Sequence, residues 1–184
     1  MAGAAGRVLR QVTVTVPSAC HVWPRVTKSA DASAHDRRSA DDSMVVSTAC
    51  SSAAYALHTA HALLQAGECD VVLAGAGDST LNAEDVRGFG ALMALAEGQS
   101  GFERACCPFD KKRAGFVMGE GGGYLVLETE AHAVRRGARI RAVMPAPGLS
   151  SEGYNILSPE PGGAGMARAM RLALDRAGLQ PAQI

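Results

Sequence analysis

The stretch from Met44 to Gly75 reads MVVSTACSSAAYALHTAHALLQAGECDVVLAG, and it decides the fold. Its first three residues, Met44-Val45-Val46, form a short apolar run typical of a strand. After Cys50, small and apolar residues recur at helical spacing until Gly67, which predicts a helix and its end. Asp70–Gly75 is almost continuously apolar, as in a buried strand. Strand, helix and strand in this order predict a βαβ unit with a parallel sheet.

Other parts of the chain continue this alternation of strands and helices. Val12–Val16 alternates like a strand. Gly88-Phe89-Gly90 reads as a turn, followed by a helical run around Leu92–Leu95. Beyond the glycine-dense stretch 115–123, the pattern predicts two strands and two helices, at Tyr124–Glu128, Ile140–Met144, Glu130–Arg136 and Ala164–Ala177. The predicted fold class is therefore α/β.

The composition argues against several classes of protein. Hydrophobic residues make up 47% of the chain and aromatic residues only 4%, so that the core is built mainly from small aliphatic side chains. Lys and Arg together number 18, as do Asp and Glu, which leaves no basic excess for a nucleic-acid partner. No apolar stretch reaches the roughly 18 residues of a membrane span, and no secretory signal is visible at the N-terminus. Five cysteines without regular spacing favour a reducing cytoplasm over a disulfide framework.

Cys50 is the candidate nucleophile. The amides and the dipole at a helix N-terminus stabilise an anion, which favours the reactive thiolate of a cysteine placed there. Its neighbours Ala49, Ser51 and Ser52 are small, so that a substrate can approach, and serine suits the start of a helix. The alternative is that Cys50 is a small buried residue, which is the commonest role of a free cysteine. Spacing alone leaves both interpretations open.

Several segments, in the same order along the chain, resemble the β-ketoacyl synthases, which are the condensing enzymes of fatty-acid and polyketide assembly. Val46–Ser52 resembles their active-site segment, and Gly88–Ala91 resembles the turn that lines their acyl pocket. Pro108–Gly123 is similar to their second signature, and the likeness runs from Met44 to Ile184. It implies a partial thiolase-like fold of layered αβαβα architecture, with the end of the N-terminal half and the start of the C-terminal half.

The resemblance also implies a division of the chain and an activity. Residues 1–43 would be a divergent or poorly ordered segment, 44–138 the nucleophile-bearing part of the N-terminal half, and 139–184 the beginning of the C-terminal half. An acyl group held as a thioester on Cys50 would be condensed with malonyl-acyl carrier protein. The amide of Cys50 would serve the oxyanion hole, and Phe89 and Gly90 would line the acyl pocket.

The implied partners are acyl carrier protein and a second ketosynthase subunit, identical or related, and no cofactor or metal is implied. The two histidines of the family match no position up to Ile184. The resemblance therefore implies a truncated chain whose activity alone is uncertain. A non-catalytic ketosynthase-like fragment or partner subunit is the alternative, and a thiolase or cysteine hydrolase is a third, weaker interpretation.

The remaining clusters carry simpler interpretations. His58 and His61 lie three residues apart on one helix face, but no third metal ligand accompanies them, which favours packing. Cys106-Cys107 lacks the spacing of a metal site. The glycines of 119–123 lead into a strand, whereas a phosphate-binding loop opens a helix, and close backbone packing or a tight turn is favoured. Four arginines suit either a solvated helix end or a carrier-protein surface: Arg135, Arg136, Arg139 and Arg141.

Overall fold

The computed structural model describes residues 12–15, 26–27, 44–96, 103, 105–155 and 158–184 of the 184-residue chain. The strands within these ranges are β1 (Val12–Thr15), β2 (Val26–Thr27), β3 (Val71–Ser79), β4 (Glu120–Thr129) and β5 (Ile140–Met144). The helices are α1 (Ser52–Ala66), α2 (Ala83–Ala91), α3 (Glu130–Arg135) and α4 (Ala164–Ala177), followed by a 3₁₀ turn at Pro181–Gln183. The chain divides into a first unit, residues 1–75 with 124–184, and a second unit, residues 76–123.

The five strands form a sheet in the order β2-β3-β4-β1-β5. β1 pairs antiparallel with both of its neighbours, and its Val12 lies opposite Thr129 of β4 and Met144 of β5. β2 pairs antiparallel with β3. The strand expected at Val12–Val16 is therefore confirmed over its first four residues, whereas most of segment 1–43 lies outside the described residues.

The core of the first unit lies where α1 packs on the sheet. Ala60 and Leu64, four residues apart on one face of α1, are buried with Val72 and Ala74 of β3 and Leu127 of β4. Leu64 and Leu127 are both 0% exposed. Fully burying a leucine side chain stabilises the fold by roughly 1.5–3 kcal/mol, so these contacts attach α1 firmly to the sheet.

The predicted helix ends are confirmed at two glycines. Gly67 follows α1 with φ 75°, and Gly178 follows α4 with φ 67°. Both values lie in the left-handed region, which glycine adopts without steric cost. The elements expected in the second half of the chain are also confirmed, since β4, α3, β5 and α4 overlap their predicted ranges.

The predicted βαβ unit with a parallel sheet is wrong. Residues 44–47 form no strand, and Met44 and Val45 are 63% and 93% exposed. The strand that follows α1 has β2 and β4 as its neighbours instead. An apolar run becomes a strand only where an adjacent strand satisfies its backbone groups, and such a neighbour cannot be recognised from the run itself.

The predicted turn at Gly88-Phe89-Gly90 is also wrong, because these residues lie within α2. The start of α2 is fixed by Asn82, whose side-chain oxygen accepts hydrogen bonds from the amides of Glu84 (3.0 Å) and Asp85 (2.9 Å). These two acidic residues in the first turn also complement the helix dipole. The cap and the first turn thus outweigh the weak helix propensity of the two glycines.

The helical run expected at Leu92–Leu95 is also wrong, since α2 already ends at Ala91. Met93 has a positive φ of 53°, which breaks helical geometry. The glycines of 119–123 likewise form no tight turn, because residues 120–123 belong to β4.

A close backbone approach in the second unit depends on Gly115. The amide of Phe116 donates to the carbonyl of Ala94, and the amide of Ala96 donates to the carbonyl of Phe116, both at 3.0 Å. Gly115 has φ +129°, and a Cβ atom there would lie 2.5 Å from the carbonyl carbon of Leu95. Only glycine fits this position without moving the backbone.

We expect Gly115→Ala to lower the free energy of unfolding by about 3 kcal/mol, because the added methyl group meets backbone atoms and the positive φ is strained. Urea denaturation followed by circular dichroism measures the change. Gly119→Ala is the matched control, with a shift within about 0.5 kcal/mol, because a Cβ there meets nothing within 4 Å. Equal effects of the two substitutions would contradict the steric argument.

Glu128, the penultimate residue of β4, is 0% exposed and carries a carboxylate. Arg136 donates to this carboxylate through Nε, at 2.9 Å from Oε2, and through Nη2 to Oε1. His132 Nδ1 lies 2.8 Å from Oε2. The hydrogen bond to Glu128 raises the pKa of Arg136. The carboxylate thus ties the end of β4 to α3 and the residue that follows it.

Removal of Arg136 should destabilise the fold, because the buried charge of Glu128 then loses a partner. Arg136→Ala is expected to lower the free energy of unfolding by about 2 kcal/mol, since a charge-assisted hydrogen bond to a buried group is lost. Arg135→Ala, which removes an exposed arginine of the last turn of α3, should change it by no more than about 0.5 kcal/mol. Thermal or chemical denaturation measures the free energy of unfolding of both variants. Equal losses would show that the pair of Arg136 with Glu128 adds no specific stability.

Candidate active site

Cys50 lies one residue before Ser51, the N-cap of α1, and its side chain is exposed. It therefore does not occupy the buried packing role that was the alternative. The first turn of α1 contains no acidic residue. The positive end of the helix dipole is consequently not offset by a carboxylate of its own first turn, and it can act on an anion beside it.

Two serine hydroxyls hold the turn that carries Cys50. Ser52 Oγ donates to the carbonyl of Ala49 at 2.7 Å and accepts from the amide of Thr48 at 2.9 Å. Ser51 Oγ donates to the carbonyl of Thr48 at 2.8 Å. Ala49 has φ +51°, a left-handed conformation that is uncommon outside glycine and is maintained here by these bonds. The turn is therefore fixed on both sides of Cys50.

The backbone amides next to Cys50 are engaged in the turn. Those of Ser51 and Ser52 donate to the carbonyls of Thr48 and Ala49 at 3.3 Å and 3.1 Å, and Thr48 and Cys50 form an isolated β-bridge. A backbone amide beside a thiol is the type of donor that an oxyanion hole requires.

The predicted acyl-pocket residues, Phe89 and Gly90, lie in the last turn of α2 and belong to the second unit, whereas Cys50 belongs to the first. The half-buried ring of Phe89 packs edge to face on Phe116, with ring centroids 5.4 Å apart and planes at 79°. Gly90 is exposed, and a Cβ there would meet nothing within 4 Å. The sequence reasoning missed Phe116, although the presence of only four phenylalanines in the chain could have drawn attention to it.

His58 and His61 are engaged in packing within the first unit. His61 Nε2 lies 3.3 Å from the carbonyl oxygen of Pro145, and the buried Nδ1 of His58 has no hydrogen-bond partner among the described residues. Burial lowers the pKa of His61, with smaller contributions from His58 and Arg176, while the Pro145 hydrogen bond opposes the shift. Among the described residues, no group of three His, Cys, Asp or Glu side chains is placed to hold a metal.

The lowered pKa of His61 predicts acid sensitivity. Because the fold favours neutral His61, its contribution to stability is present above the ordinary histidine pKa of about 6.5 and is lost as the pH falls below it. His61→Gln keeps a donor for Pro145 but cannot gain a proton. We expect the free energy of unfolding of the unmodified chain to fall more steeply between pH 6.5 and 5 than that of this variant. Parallel slopes in chemical denaturation would contradict the assignment.

A family model, the N-terminal domain of β-ketoacyl synthases, matches residues 40–133, which is more than half of the chain. The chain belongs to the β-ketoacyl synthase family. It is 41% identical over 151 residues to 3-oxoacyl-[acyl-carrier-protein] synthase 2 of Rhizobium meliloti (strain 1021), covering 82% of this chain and 35% of that protein. It is also 41% identical over 138 residues to the mitochondrial 3-oxoacyl-[acyl-carrier-protein] synthase of Arabidopsis thaliana, covering 74% and 30%. The chain thus spans about a third of the length of these curated relatives.

Solved structures of ketosynthases are similar in fold to this family member. One, described as a type II PKS acyl-carrier protein in complex with its ketosynthase bound to the hexaketide, matches with a TM-score of 0.69 and 34% identity. The match covers 73% of this chain and 33% of that chain. The α/β, partial thiolase-like fold expected for this chain is therefore confirmed. No helix among the described residues is long and apolar enough to cross a membrane.

Proposed function

We propose that this chain is the acyl-accepting part of a β-ketoacyl synthase, with Cys50 as the nucleophile that carries the acyl group. The observation that carries the proposal is the placement of an exposed thiol immediately before α1, whose first turn contains no acidic residue. Family membership supports it, because the active-site segment of the family resembles Val46–Ser52. The proposed activity is that of an acyltransferase.

The transfer step follows from this placement. The thiolate sulfur of Cys50 attacks the carbonyl carbon of an acyl thioester and forms a new carbon–sulfur bond. The amide of Cys50 donates a hydrogen bond to the oxyanion that develops on the carbonyl oxygen. The bond to the donor's sulfur then breaks, and the departing thiolate gains a proton from solvent. The acyl group remains on Cys50 as a thioester.

The proposed second step is condensation with malonyl-acyl carrier protein in fatty-acid or polyketide biosynthesis. The solved relative in complex with an acyl-carrier protein supports such a partner, and a second ketosynthase subunit, identical or related, is part of the proposal. We assign neither His58 nor His61 to this step. His61 contacts the carbonyl of Pro145, and neither histidine matches a catalytic position of the family.

The division of the chain and the acyl pocket belong to the same proposal. Residues 44–138 would form the nucleophile-bearing part of the N-terminal half and 139–184 the beginning of the C-terminal half, which the family match at 40–133 supports. Phe89 and Gly90 would line the acyl pocket. The edge-to-face contact with Phe116 supports this by holding the Phe89 ring in one orientation. Free thiols at Cys50, Cys106 and Cys107 fit the proposed reducing, cytoplasmic setting.

Incubation of the chain with an acyl-carrier-protein thioester should add the mass of the acyl group to Cys50, as peptide mapping by mass spectrometry would show. Cys50→Ser should abolish this labelling. Cys106→Ser is the matched control and should leave it intact, because Cys106 is also exposed but does not precede a helix. Absence of acylation, or equal labelling of Cys106, would reject Cys50 as the nucleophile. It would then favour a non-catalytic ketosynthase-like subunit.

A further inference from the structure

We propose that Ser52 is a positioning residue for Cys50, which acts through the backbone of the turn and not through contact with the acyl group. This inference rests on the proposed function of Cys50. The Ser52 hydroxyl bonds to backbone groups of two different residues of the turn, Thr48 and Ala49.

Ser52 Oγ is the donor of one hydrogen bond and the acceptor of another. As a donor, the hydroxyl holds the carbonyl of Ala49 at 2.7 Å, and as an acceptor it holds the amide of Thr48 at 2.9 Å. The hydroxyl therefore connects the first residue of α1 to both residues that lead into Cys50. The Ala49 carbonyl also accepts from the backbone amide of Ser52 at 3.1 Å. The hydroxyl adds a second bond to this left-handed residue (φ +51°) and joins it to Thr48, which helps to set the direction of the Cys50 amide.

Ser51 provides a natural comparison on the same turn. Its hydroxyl donates to the carbonyl of Thr48 (2.8 Å), a carbonyl that also accepts from the backbone amide of Ser51 at 3.3 Å. Loss of the Ser51 hydroxyl therefore leaves that carbonyl with a hydrogen bond. Loss of the Ser52 hydroxyl also leaves the Ala49 carbonyl with its backbone hydrogen bond, but it removes the acceptor of the Thr48 amide, and the turn is then free to relax.

Relaxation of the turn should affect one reaction of Cys50 more than another. Attack on a thioester needs both the sulfur and the oxyanion-stabilising amide in place, so it depends on the orientation of the Cys50 backbone. Alkylation by iodoacetamide displaces iodide at a saturated carbon and develops no carbonyl oxyanion. It therefore reports the access and reactivity of the thiol without the amide.

The experiment compares both rates in the full 184-residue chain and in the variants Ser52→Ala, Ser51→Ala and Ser52→Thr. We expect Ser52→Ala to slow acylation of Cys50 by the acyl-carrier-protein thioester about tenfold, the effect of one hydrogen bond, and alkylation less than about twofold. Ser51→Ala should slow acylation by no more than about threefold, because the Thr48 carbonyl keeps its hydrogen bond from the Ser51 amide, and should leave alkylation within about twofold of the unmodified chain. Ser52→Thr keeps the hydroxyl and should restore acylation. A general loss of structure would also slow acylation and leave the exposed thiol open to alkylation, so circular dichroism and the thermal midpoint of each variant are compared with those of the unmodified chain to separate the two causes.

The outcomes separate this inference from the proposed function. If Ser52→Ala is acylated at the same rate as the unmodified chain, the role of Ser52 is overturned and Cys50 remains the nucleophile. Equal losses in Ser51→Ala and Ser52→Ala, or no restoration by Ser52→Thr, also overturn it. Absence of acylation in the unmodified chain rejects both. If Ser52→Ala does not fold, Ser52→Val against Ser52→Thr repeats the comparison with side chains of equal shape, and equal acylation rates overturn the proposal.

Discussion

The first unit depends on the burial of one face of α1 against β3 and β4. Leu64, near the C-terminal end of the helix, is fully buried in this contact together with Leu127. Cys50 precedes Leu64 by fourteen residues, which corresponds to about 20 Å along a helix. A helix behaves as a rigid rod over this length, so that a contact far from the nucleophile determines where the nucleophile lies. The core of this unit is thus also part of the support of its candidate site.

Short polar side chains hold the backbone at the N-terminal end of α1. Ser51 and Ser52 bond to the backbone within three or four residues and reach no other element in the bonds that define the turn. This local arrangement fixes backbone direction while occupying little volume around the thiol. Large side chains could also hold a turn, but they would obstruct an acyl donor. Small hydroxyl-bearing residues satisfy both requirements.

The sequence predicted those elements whose signals are local. Helical spacing and a terminal glycine located α1 and α4, and the placement of Cys50 at the start of α1 followed from them. The failures concern information that lies elsewhere in the chain. Residues 44–47 have the apolar pattern of a strand, but strand formation depends on a neighbouring strand. Gly88–Gly90 are helical because Asn82 caps the start of α2. The bridging hydroxyl of Ser52 could not be predicted, because its hydrogen bonds depend on the left-handed conformation of Ala49.

β4 changes character along its length. Its residues 120–125 are exposed and include three consecutive glycines, whereas Leu127, Glu128 and Thr129 are buried and Glu128 is bonded to Arg136. Glycine adds backbone entropy and no side-chain packing, so the strand is weakly held at its beginning and strongly held at its end. Local opening should therefore start at Glu120 and stop before Leu127, with backbone amides that exchange with solvent progressively more slowly along the strand. The same strand thus opens easily at its N-terminal end and is firmly held at its C-terminal end.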